Sequence, residues 1–119
     1  ICWSLVGSEM CIRDRYIMYK LIFFVPKTHS EQLKDKLWKS GLGKQGDYEN
    51  CSFSIDGIGQ FKPLKGANPT LGSVDKLENV LETRVEMLCE ENLKEIAVKI
   101  IKKYHPYEEP AYEFYKIIN

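Results

Sequence analysis

A chain of 119 residues has room for one domain, whose core hides roughly two thirds of the unfolded surface, and is too short for two. Seventeen basic residues balance seventeen acidic ones, so no net field attracts a polyanion or an anionic bilayer, which excludes generic nucleic-acid and membrane-surface binding. The longest apolar run, Leu21 to Val25, falls far below the ~20 residues that cross a bilayer, and the cysteines at 2, 11, 51 and 89 form neither a CxxC pair nor a metal-finger spacing. Such thiols read as small packing groups, and the expected location is the reducing cytoplasm.

Residues 1–17 show no basic region followed by an apolar one and no clean period, so they do not read as a signal peptide. The string Val6 to Arg15 resembles a translated adapter, which makes 1–17 an expected non-native, poorly ordered leader and residues 18–119 the single domain. Met18 to Val25 is rich in Tyr, Leu, Ile and Phe and is halted by Pro26, which cannot extend a ladder: a first strand. Thr28 and Glu31 have capping-box spacing, and Leu33, Leu37 and Trp38 recur helically up to Gly41: a first helix.

Seven glycines and two prolines lie between Gly41 and Gly72. Inside that stretch, Tyr48 to Asp56 and Gly59 to Leu64 read as a strand and a return segment joined by a turn at Asp56-Gly57. Asn68-Pro69 marks a further loop, since the residue before a proline is pushed out of the helical region. Glu82 to Cys89 then alternates, with Thr83, Val85, Met87 and Cys89 on one face, as a half-buried strand does. Leu93, Ile96, Ala97, Ile100, Ile101 and Tyr104 make the apolar stripe of an amphipathic helix ending at His105-Pro106, and Ala111 to Ile118 supplies a closing strand.

The order βαββαβ is that of an α+β ferredoxin-like fold, an antiparallel sheet with both helices on one face. The first strand nevertheless places Tyr19, Leu21, Phe23 and Val25 on one side and Ile22 and Phe24 on the other. A sheet covered on one side only would need a second cover there, and a homo-oligomer, a trimer among the candidates, supplies it.

Chemistry concentrates in His105-Pro106-Tyr107-Glu108-Glu109-Pro110-Ala111-Tyr112, where two prolines stiffen a backbone carrying an imidazole, two carboxylates and two phenols. Three readings of it stand. The residues serve as ordinary helix-end and strand-flank groups, a cationic histidine and a proline being common at a helix C-terminus. Alternatively His105, Tyr107, Glu108, Glu109 and Tyr112 bind a small molecule or partner. In the third, a divalent metal is held by His105 with Glu108 or Glu109 and further ligands recruited from His29, which is the only other histidine, from an Asp or Glu elsewhere, or from another subunit. Ser52, Ser54 and Asp47 form no nucleophile pattern, so no catalytic residue is assigned. Gly41-Leu42-Gly43 and Gly57-Ile58-Gly59 lack the third glycine of a phosphate-binding turn.

Four strings taken together carry a family resemblance: Phe24-Val25-Pro26, Gly46 to Phe53, Gly59 to Pro69, and His105 to Tyr112. They resemble the domain inserted in the YqfO-type dinuclear-metal-centre hexameric proteins, the family related to the Ngg-interacting factor, here as a separate chain. That domain is similar in fold to the CutA divalent-ion tolerance proteins and the PII signalling proteins, both ferredoxin-like trimers. The resemblance implies the fold and hints at oligomers. It does not transfer the metal centre, whose ligands lie in lobes flanking the insert. The function expected is a non-enzymatic, homo-oligomeric binding or regulatory module with no required cofactor. The alternatives are a CutA-like divalent metal-binding protein and an accessory chain of a YqfO-type metal-dependent hydrolase.

Overall fold

The computed structural model describes residues 17–118, so the leader expected over 1–17 lies, apart from Ile17, outside the described residues. Elements follow as β1 (Met18–Pro26), α1 (Lys27–Lys39), β2 (Phe53–Phe61), β3 (Glu78–Glu90), a 3-10 turn (Glu91–Leu93), α2 (Lys94–Tyr104) and β4 (Ala111–Lys116). The strands form one sheet in the order β2-β3-β1-β4 with every ladder antiparallel. This is the ferredoxin-like α+β arrangement.

The core follows from two periodicities meeting. Alternate residues Leu21, Phe23 and Val25 of β1 and Val85, Met87 and Cys89 of β3 share the face on which Leu33 and Leu37 of α1 and Ala97 and Ile101 of α2 are buried. Each large aliphatic or aromatic side chain so buried contributes about 1.5–3 kcal/mol. Burial raises the Cys89 thiol to about 11, so it packs as an apolar group.

Four local expectations change. Helix α1 begins at Lys27, directly behind Pro26 at φ −53 and ψ 137, with no side-chain cap. Pro26 occupies the N-cap position, which leaves Thr28 one residue inside the helix, too far in to cap it. Its hydroxyl meets His29 Nδ1 at 2.9 Å instead. At the other end Gly41 takes φ +104, and the N–H groups of Gly41 and Leu42 donate to Trp38 and Leu37 carbonyls, closing the helix as a glycine C-cap does.

The turn expected at Asp56-Gly57 does not exist: both residues lie within β2, which pairs with β3 without interruption from Phe53↔Glu86 to Phe61↔Glu78. The chain reverses in residues 62–77, and β3 starts at Glu78 rather than Glu82. Gly57 and Gly59 are strand glycines. At 59 the reason is close approach, since a Cβ would collide with the Glu82 carboxylate lying over it. Strand β4 ends at Lys116 instead of Ile118.

The second face of β1 is better covered than its sequence suggests. Ile22 is 6% exposed within the one chain, sitting between Glu86 on β3 and Glu113 on β4. Lys20 pairs with Glu86 at 3.6 Å, and the Arg84 guanidinium lies 5.7 Å from the centre of the half-buried Phe24 ring. Long charged side chains thus shield apolar surface with their stems. Apolar side chains remain exposed beside it on that face, Phe53 and Ile55 of β2 and Tyr115 of β4, and also on the arm made by β2 and the outer part of β3. There Ile58 and Leu81 face each other at 71% and 47% exposure, joined by Leu64 and Leu77.

A candidate ligand cleft beside the His105 to Pro110 segment

Helix α2 ends as its sequence predicts. His105 is extended, its N–H still bonded to the Ile101 carbonyl at 2.9 Å, and Pro106 prevents continuation. Its side chain is buried at 5% exposure, and both ring nitrogens are engaged with backbone. The Tyr107 N–H donates to Nδ1 at 3.1 Å, so the neutral ring carries its proton on Nε2 and donates it to the Phe24 carbonyl at 2.6 Å. Phe24 is the last β1 residue paired with β4. The imidazole is therefore a strut between the end of α2 and the end of the β1–β4 ladder. Burial holds its pKa below the ordinary value, against the opposing pull of the Phe24 carbonyl and Glu82, with His29 adding to the lowering.

That geometry leaves His105 no lone pair for a metal ion. Its partner in the metal reading, His29, is half-buried on α1 with Nδ1 against Thr28. Among the described residues no group of three or more His, Cys, Asp or Glu is placed to hold a metal.

Tyr107 turns outward from the strut. Its O–H donates to Glu82 Oε2 at 2.7 Å, and its ring meets the Phe61 ring edge-on at 5.6 Å and the His105 ring at 5.0 Å. Burial first, and then the Glu82 carboxylate, push its phenol far above the usual range, so it stays a hydrogen-bond donor at any physiological pH. Glu108 Oε1 accepts from the Asn68 N–H at 3.3 Å, tethering the loop that follows β2.

Between that loop, the end of the sheet and the 107–109 segment lies a cleft of roughly 490 Å3. Phe24, Phe61 and Tyr107 supply its aromatic wall, and Pro63, Leu64 and Leu71 its apolar one. Glu82, Glu108 and Glu109 face it together with Lys62.

The five candidate residues are thus divided. Tyr107, Glu108 and Glu109 line the cleft, while His105 supports it from beneath. Tyr112 is on the other side of the sheet, where its ring meets Phe114 edge-on at 6.3 Å beside Lys94 and Val98. The reason is strand alternation: Ala111 lines the cleft, so the next residue faces away. Glu82 escapes a reading by motif, and Phe24, Phe61 and Lys62 fall in other family strings without being tied to this segment, because all four lie 25 or more positions from Tyr107 in the chain. The one sequence signal for Glu82 is Gly59, whose missing side chain makes room for it.

A four-stranded antiparallel sheet in βαββαβ order, with both helices on one face and a cleft at the sheet end, defines the chain as a ferredoxin-like α+β domain. No family model matches it. The chain is nevertheless a homologue of the CutA-like domain carried within NIF3-related proteins. It is 44% identical over 101 residues to the "GTP cyclohydrolase 1 type 2 homolog" of Staphylococcus aureus strain Mu50, covering 85% of this chain and 28% of the relative. The Bacillus subtilis protein of the same name is 43% identical over 98 residues, 82% of this chain and 26% of the relative. Among solved structures, a Bacillus cereus protein related to NIF3 superposes with a TM-score of 0.75 at 36% identity, over 87% of this chain and 26% of that one. CutA from Archaeoglobus fulgidus superposes at 0.63 over 86% and 85% of the two chains, and at 14% identity that likeness shows the fold alone. The chain spans little more than a quarter of its curated relatives.

Proposed function

We propose that this domain is a non-enzymatic binding or regulatory module of the NIF3/CutA-like type, which takes a small ligand in the cleft beside Tyr107, Glu108 and Glu109. The observation that supports it is the cleft itself: its size falls in the range of ligand sites, its walls are largely apolar, and its few polar groups converge from three separate segments. The stiff backbone between Pro106 and Pro110 and the buried His105 strut keep those groups in place without a ligand. Metal coordination there would have to use the carboxylates of Glu82, Glu108 or Glu109 without His105, an all-oxygen set that is poor for copper or zinc.

Self-association belongs to the same proposal. The apolar side chains exposed on the β2–β3 arm, Ile58, Leu77 and Leu81, favour a second copy more than Ile22 and Phe24 of β1 do. Sedimentation equilibrium of the full chain tests this: an oligomer at micromolar concentration that I58K dissociates is expected, and a monomer across the range removes the assembly. A second reading draws on the relatives, whose names carry a cyclohydrolase and whose length is about three and a half times that of the matched region. In it the chain acts as an accessory unit of a metal-dependent hydrolase. Co-purification of the remaining NIF3-type lobes from the native host supports that reading, and their absence from the genome ends it.

A further inference from the structure

We propose that the cleft selects an organic cation, an amine or guanidinium group borne on an apolar or aromatic body, an inference that rests on the cleft being a ligand site. The charge is lopsided: Glu82, Glu108 and Glu109 face one lysine, Lys62. The carboxylates elsewhere that meet a basic group, Glu31, Asp35, Asp56 and Glu86, do so in ion pairs of 2.6 to 3.6 Å. None of the three in the cleft has an ion-pair partner among the described residues. Their contacts come instead from neutral donors, the Tyr107 O–H and the Asn68 N–H. Such donors fix the direction of a carboxylate without neutralising it.

The walls add a second and independent requirement. Phe24, Phe61 and Tyr107 present ring faces and edges within one cleft, and an aromatic face attracts a cation through its quadrupole. The Phe24 ring already carries the Arg84 guanidinium over it, so Phe61 and Tyr107 are the rings left to a ligand. Pro63, Leu64 and Leu71 contribute surface that a bare ammonium or metal ion would leave wet, and a volume of roughly 490 Å3 is far more than such an ion fills. The occupant therefore needs a hydrophobic body as well as a positive charge.

The same features exclude the opposite chemistry. A terminal phosphate carries about −1.5 to −2 at neutral pH and is held by arginine forks, backbone nests or several lysines. No arginine lines the cleft, and the carboxylates outnumber Lys62. A nucleoside triphosphate would meet net repulsion here.

Three probes share one body and differ in charge: tryptamine, neutral 3-methylindole and anionic indole-3-acetate. Each is titrated into the full chain at pH 7.5 while the amide resonances of Tyr107 and Asn68 are followed. Tryptamine is expected to bind at least about tenfold more tightly than indole-3-acetate, a factor equivalent to roughly 1.4 kcal/mol. The double variant E108Q/E109Q keeps an acceptor for the Asn68 N–H while removing two charges. It should erase most of the preference for tryptamine over 3-methylindole and leave the thermal midpoint unchanged. Equal binding of all three probes, or tighter binding of the acid, overturns the cation inference and leaves the cleft a ligand site. If none perturbs either resonance at about 10 mM, tenfold above a Kd of ~1 mM, both the inference and the ligand-site reading fall.

Discussion

Strand β3 passes through two environments within thirteen residues. From Thr83 to Cys89 its inward side chains are 0–3% exposed, wedged between β1 and the helices. From Glu78 to Leu81 it pairs only with β2, and Leu81 stands 47% exposed opposite Ile58. The backbone pairing is equally regular in both halves, so what separates them is cover. The inner half is stabilised by its own chain, and the outer half offers apolar surface to something else.

The largest effect expected is in the inner half. Phe23→Ala, at a site with no solvent exposure, should cost roughly 3–5 kcal/mol in a urea unfolding series. A loss under about 1 kcal/mol would mean the helix layer packs far more loosely than described.

His105→Gln comes next, since it deprives the Phe24 carbonyl and the Tyr107 N–H of their shared partner; an unsatisfied buried group costs about 1–3 kcal/mol. The histidine also links stability to pH. Its folded pKa lies below the ordinary 6.5, so above that value both folded and unfolded states hold a neutral ring and the strut contributes in full. As pH falls through 6.5 the unfolded chain takes up a proton that the folded one resists, and stability declines until the folded pKa is reached. Urea midpoints at pH 7.5 and 5.5 should show this decline in the wild type and a smaller one in His105→Gln. Equal slopes would remove the imidazole from the linkage.

Tyr107→Phe is milder. It deletes the hydrogen bond to Glu82 while keeping the ring against Phe61, for a loss of about 0.5–1.5 kcal/mol by thermal unfolding. The smallest change in stability is expected on the arm, where Ile58→Lys should shift the unfolding free energy of a monomer by no more than about 0.5 kcal/mol. Any larger loss at micromolar protein that vanishes on dilution would mark the arm as an interface.

The two halves of β3 also differ in how legible they were. Thr83 to Cys89 announces itself by strict alternation, and α2 by an apolar stripe at helical spacing, because each buries one face against the core. Residues 78–81 carry no such pattern, since neither of their faces is buried by the same chain. Glycines at 57 and 59 read locally as a turn, whereas their role is set by a carboxylate arriving from β3. The candidate site divides in the same way. Tyr107, Glu108 and Glu109 are visible between their prolines, but Glu82, Phe61 and Phe24 join them only through the register of three strands.

By itself, the order of the amino acids determined the element types, the βαββαβ sequence and the helix-facing core, all of which follow from short-range periodicity and from proline and glycine at element ends. Only the tertiary structure decided that His105 is a strut rather than a ligand. Its two acceptor and donor partners come from residues 81 positions and two positions away, and nothing local distinguishes an imidazole so occupied from a free one. It likewise decided that Ile22 is shielded while Ile58 is not, because cover depends on which charged stems and helices the folded chain brings overhead.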